Sequence, residues 1–152
     1  MVINILFGAV IPWILTALLF LRKPALVILL FPLGAMIAFG LNDWGFRVFW
    51  LVSPFHDNPS LPALPFNLGY FPMLACYFGY FNYIRLLETK MLIVVFSLIT
   101  TSLEFMALLV DKVHFYNQWN IFYSLLVYLL GFSVVVIYVK LLKKYNIADY
   151  TS

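Results

Sequence analysis

The chain has 152 residues, of which 65% are apolar, 20% aromatic and only 10% charged, and its mean hydropathy is +1.02. An apolar share so far above that of a soluble domain excludes a water-soluble globular protein and identifies an integral membrane protein. The net charge of +3 comes from basic residues at the ends of apolar runs, where membrane topology accounts for them, so nucleic-acid binding is excluded as well.

A bilayer core about 30 Å thick takes about 20 helical residues per crossing, which leaves room for about five or six spans and no separate soluble domain. Residues 1–152 are therefore read as one integral membrane domain, an all-α bundle of five transmembrane helices over about 3–21, 25–41, 66–84, 91–110 and 120–139. The first run is followed, not preceded, by its basic residues Arg22 and Lys23, and lacks a small-residue cleavage site, so a retained span is expected in place of a signal peptide. The hinge "LRKPAL" is too short for anything but an antiparallel pair with the second span, which contains Pro32. Asn42, Asp43 and Arg47 beyond it are expected at or past the headgroups.

Between spans two and three, "DWGFRVFWLV" mixes Trp44, Phe46, Phe49 and Trp50 with Asp43 and Arg47, the pattern of a short extracytoplasmic helix lying in the interface. The next stretch, "SPFHDNPSLPALPF", carries Pro54, Pro59, Pro62 and Pro65 and is expected as an extended, proline-rich cap. Small residues four apart, Gly34 with Ala38 and Ala75 with Gly79, would let helix backbones approach closely. Cys76, the single cysteine, has no disulfide partner and reads as a small apolar residue within span three. Trp13, Trp44, Trp50 and Trp119 fit interfacial belts.

Alternating the spans places Arg22, Lys23, Arg85, Lys90, Lys140, Lys143 and Lys144 on one face and only Arg47 and Lys112 on the other. That imbalance predicts a plasma-membrane protein with its N-terminus outside and its C-terminus in the cytoplasm.

Residues three, four and seven apart share a helix face. In span four, Ser97, Thr100 or Thr101, Glu104 and Asp111 follow that spacing; span five adds Asn117, Asn120, Ser124, Tyr128 and Gly131, and span three adds Asn67, Tyr70 and Tyr77. The three stripes predict a small polar cavity open to the exterior with Glu104 at its base. An ionised carboxylate at that depth costs about 2.5 to 3.5 kcal/mol unless it is paired or hydrated, so Glu104 is either functional or a hydrogen-bonded lock between helices. The candidate ligand- or proton-binding residues are Glu104, Thr100, Thr101, Asp111, Asn117, Trp119, Asn120, Ser124, Tyr70 and Tyr77. His56, Asp57, Asp111 and His114 cluster on the outer side as weak metal candidates without the spacing of a zinc motif. No GxSxG, P-loop, GxGxxG or kinase signature occurs, so no cofactor is assigned.

From "LEFMALL" through "HFYNQWNIFYSLLVYLL" the chain resembles a group of small multi-spanning membrane proteins of unknown function from spore-forming bacteria. The positions that carry the resemblance are Glu104, Asn117, Trp119 and Ser124, with Gln118 standing where that group has a small residue. It covers the last third of the chain and implies no activity. Three functions remain open: binding of a small molecule, lipid or ion for transport or partner regulation; an integral enzyme acting on a lipid or isoprenoid with Glu104 as acid or base, oriented by Asn120, Ser124 or Tyr70; and a structural or assembly subunit. Membrane lipids, further copies of the chain or a larger membrane complex are the expected partners.

Overall fold

Lys23 alone separates the first two helices, α1 (Val2–Arg22) and α2 (Pro24–Gly45). Pro24 starts α2 because the missing N–H would have had no partner at a helix N-terminus and its fixed φ already suits the helix. The computed structural model describes residues 1–46 and 48–145. After α2 come β1 (Trp50–Val52), a helical rod α3 over 60–83, α4 (Thr89–Leu109), β2 (Val113–Phe115) and α5 (Ile121–Lys144).

Helices α1, α2, α4 and α5 are long and apolar enough to cross a membrane, as an integral membrane protein requires. Rod α3 is not among these four. It is long enough, at about 36 Å, but its sequence spends positions on Asn67, Asn82, four tyrosines and Pro62, Pro65 and Pro72. It nonetheless lies within the bundle, antiparallel to α2. A Cβ on Gly34 would stand 2.8 Å from the Ala75 Cβ, and one on Gly79 would meet Leu30, so small residues set this close crossing.

Rods α1 and α3 each contain one π-helical turn, Leu6–Val10 and Phe66–Tyr70, followed by a proline, Pro12 or Pro72. A proline has no N–H for the carbonyl four residues back, which frees the oxygens of Gly8 and Leu68. The Trp13 indole Nε1 donates to the Leu68 oxygen at 2.8 Å. A Cβ on Gly69 would lie 2.2 Å from the Gly8 oxygen, so only glycine lets the two wide turns meet. On the far side of α3, Phe78, Phe96 and Phe132 join α3, α4 and α5 with ring centroids 5.2 to 5.4 Å apart. Leu30, Cys76 and Leu92 are buried in the same core.

The two strands pair antiparallel, Trp50 opposite Phe115 and Val52 opposite Val113, and tie the connection after α2 to the one after α4. The fully buried Asn4 joins this end, its Nδ2 donating to the Ser53 and Pro62 oxygens at 2.8 and 2.9 Å. This arrangement corrects several expectations. Instead of an interfacial helix, the described residues of the aromatic segment form a turn at 48–49 and β1, because the backbone of β1 pairs with residues some sixty positions later and the rings of Phe49 and Trp50 pack at a tilt against Trp119. The proline-rich segment is not extended throughout: Ser60–Pro65 is helical, with Pro62 near the start where missing N–H groups cost little. Arg47, placed outside by the charge count, and residues 146–152, which carry the C-terminus, lie outside the described residues.

Candidate functional site

Helix α4 brings Ser97, Thr100 and Glu104 to one face, and α5 packs antiparallel beside it after a short connection. The turn Tyr116–Trp119 has positive φ at both Asn117 and Gln118, the mark of a type I′ reversal, and is closed by Trp119 N–H donating to the Tyr116 oxygen at 2.9 Å. Asn120 then caps α5, its Oδ1 accepting from the backbone N–H of Phe122 at 3.0 Å. Glu104 lies about 7.5 Å from the end of α4 and Ser124 about 4.5 Å into α5, so the two meet at similar depth.

The Ser124 hydroxyl donates to Glu104 Oε1 at 3.2 Å and accepts from Trp119 Nε1 at 3.1 Å. One serine therefore links the carboxyl to an indole. That indole belongs to an aromatic cluster: Trp119 lies 4.6 Å from Phe49, 5.1 Å from Trp50 and 5.3 Å from Tyr123, and Trp44 joins at 6.3 Å. Trp44, Trp50 and Trp119 thus pack on one another and do not form a dispersed belt; among the four tryptophans only Trp13 stands apart. Tyr128, one turn deeper on α5, lies beside the Glu104 carboxyl, and Tyr70 of α3 lies beside Thr100.

Between the α1–α2–α3 half and the α4–α5 hairpin is a cavity of about 550 Å³ that holds Glu104, Thr100, Tyr70, Tyr128 and Ser124. Its size is that of a ligand pocket. Its walls are mostly apolar: Ile37 and Leu41 of α2, Phe71 and Leu74 of α3, Leu103 of α4 and Val127 of α5 are representative. Trp50, Trp119 and Lys112 line the end nearest the sheet. The exposed members of the lining are Ile3 and Phe7 on α1 and Leu103, Met106 and Val110 on α4, so the rim is apolar and faces sideways from the bundle. The expectation of a small polar cavity is corrected accordingly: the lining is mostly apolar, and its polar groups form a cluster where Tyr70 of α3 faces Glu104, Ser124 and Tyr128 of the hairpin. Within that cluster Glu104 Oε2 and the Tyr70 hydroxyl are buried without a hydrogen-bond partner.

The remaining candidates lie elsewhere. Thr101 is one position off the stripe and outside the lining, with its hydroxyl buried and unpartnered. Tyr77 donates to the Leu15 oxygen at 2.9 Å, and Asn117 donates to the Val48 oxygen at 2.7 Å. Asp111 is exposed at a left-handed turn, where its carbonyl lies 3.1 Å from His114 Nε2. The His114 ring packs at a tilt against Phe55, with centroids 4.8 Å apart, whereas His56 Nδ1 accepts from the Asn58 N–H at 3.0 Å. Neither these two histidines nor Asp57 and Asp111 converge, and among the described residues no group of three or more His, Cys, Asp or Glu is placed to hold a metal ion.

Sequence reasoning missed Asn42. It lines the cavity, donates to Asn67 Oδ1 and accepts from Trp50 Nε1 at 3.1 Å, because α2 runs on to Gly45 and carries it inside. Tyr128 is on the polar stripe of α5 four residues after Ser124, and that one-turn spacing puts it beside Glu104 as well. Lys112 gave no signal beyond its charge. Comparison with protein families, with curated proteins and with solved structures finds no match, so the function rests on this geometry.

Proposed function

We propose that this protein is a five-span plasma-membrane protein, with its N-terminus outside and α3 as the third crossing, that takes up a lipid-like molecule in the cleft between its two halves. The apolar body would lie along the Ile37, Leu41, Phe71 and Leu103 walls, and a hydrogen-bonding head would meet Glu104, Tyr70 and Tyr128. The observation that carries this reading is a 550 Å³ mostly apolar cavity in which Glu104 Oε2 and the Tyr70 hydroxyl are buried without a hydrogen bond of ordinary geometry, with Tyr128 and Thr100 as their polar neighbours. Buried polar groups left unpaired are costly, and a ligand head that pairs with them gains that energy as affinity. The sideways apolar rim suits entry from the bilayer better than entry from water. Such binding would serve transport or the regulation of a partner, and it gives Glu104 a part that helix locking alone does not.

The test uses full-length protein in mild detergent, a fluorescent fatty acid as probe, and native mass spectrometry for co-purified lipid. Gly131 lines the cavity, and a Cβ there meets Ile37 only at 3.8 Å, so Gly131→Leu should fill the space without disturbing the fold. We expect probe binding to be lost in Gly131→Leu and weakened about tenfold in Glu104→Gln. Unchanged binding in both variants would overturn the assignment.

A further inference from the structure

A second pocket lies at the opposite end of the bundle, where the α3–α4 connection meets the last turns of α5. Its volume is about 390 Å³. On α5 it is lined by Val136, Val139, Lys140 and Lys143, which fall on one helical stripe, so the ammonium groups form the rim and the two valines, both buried, form the floor. The connection supplies Arg85 and Glu88, and α4 begins in the lining with Thr89. Three cationic groups thus face one carboxylate across a single concavity.

The backbone adds to that field. Residue Glu88 precedes the 21-residue helix α4, and no side chain caps its first N–H groups. The Thr89 hydroxyl is turned away to Asn82 Oδ1 at 2.8 Å. Free N–H groups at a helix start, reinforced by the helix dipole, are donors for an anion, and the first residue of this helix, Thr89, lines the same pocket as Arg85, Lys140 and Lys143. Arg85 is held at a left-handed φ of 53°, closed by its N–H donating to the Asn82 oxygen at 3.4 Å, which fixes the turn that brings the arginine to the rim.

We propose that this pocket binds a phosphate group, with Arg85, Lys140 and Lys143 as its cationic partners and the start of α4 as the source of N–H donors. The same chemistry is carried by an anionic phospholipid headgroup at the membrane surface and by free phosphate in solution. A pocket of fixed shape differs from the general excess of Lys and Arg at this end in one respect: its three cations should matter more than equally charged neighbours outside it. Lys90 and Lys144 are such neighbours, close in sequence and absent from the lining.

The experiment places the full-length protein in nanodiscs of phosphatidylcholine with or without phosphatidic acid, and counts retained lipid by native mass spectrometry. Inorganic phosphate is titrated as a competitor. We expect phosphatidic acid retention to fall about fivefold for each of Arg85→Gln, Lys140→Gln and Lys143→Gln, and to hold in Lys90→Gln and Lys144→Gln. Displacement by millimolar phosphate would identify free phosphate as a sufficient ligand, whereas resistance to it would identify the lipid headgroup; both support the site. An equal loss in the Lys90→Gln and Lys144→Gln controls, or no selective retention in the wild-type chain, would overturn it. All five residues are exposed, so folding is checked by monodispersity and is expected to be unchanged. The outcome is independent of the cleft, whose probe is tested by Gly131→Leu at the other end.

Discussion

Ser124 is the residue on which the cleft's polar wall turns. It accepts from the Trp119 indole and donates to Glu104, so removing its hydroxyl leaves a partly buried donor and a partly buried acceptor unpaired together. Ser124→Ala should destabilise the protein by about 1 to 3 kcal/mol, measured as a lower thermal midpoint in detergent. A midpoint equal to wild type would mean that water or Tyr128 takes over both bonds. Sequence spacing placed Glu104 and Ser124 at one depth, since both obey the same three- and four-residue rule. It did not place Asn42, because the end of an apolar run says little about where a helix stops. The α2 helix continues through Asn42 and Asp43 to Gly45, and the Asn42 amide is satisfied by Asn67 and Trp50, partners that are remote or lie past the helix end.

Among the elements, the paired π-turns of α1 and α3 set how closely the N-terminal half closes. With 2.2 Å between a Gly69 Cβ and the Gly8 oxygen, Gly69→Ala forces backbone apart, since neither neighbour is a flexible side chain. The expected cost is about 1 to 3 kcal/mol, seen as a lower thermal midpoint and faster proteolysis between residues 53 and 60. A midpoint unchanged within error would show that the helices cross farther apart. Four of the helices were readable as unbroken apolar runs, because length and hydropathy suffice for that. Helix Ser60–Pro65 was not, since Pro62 and Pro65 look like breakers until their position at the start of a rod is known. Strand β1 was hidden for another reason: three residues are too short for a period, and their partners lie beyond α3 and α4.

For the whole molecule, orientation is the property that residue charge predicts and packing does not. The single native cysteine, Cys76, is buried, which leaves a clean background for labelling. A cysteine introduced at exposed Asn58 should react with an impermeant maleimide in intact cells, and one at exposed Lys144 should react only after lysis. The reverse pattern would turn the protein over in the membrane and place the phosphate pocket outside. The tryptophans have a further consequence at this scale. Trp44, Trp50 and Trp119 share one corner of the bundle, and Trp119 is one hydroxyl away from Glu104. Three of the four indoles therefore share a single place, so a molecule entering the proposed cleft would change the chain's own ultraviolet emission, readable without attaching any dye to the protein.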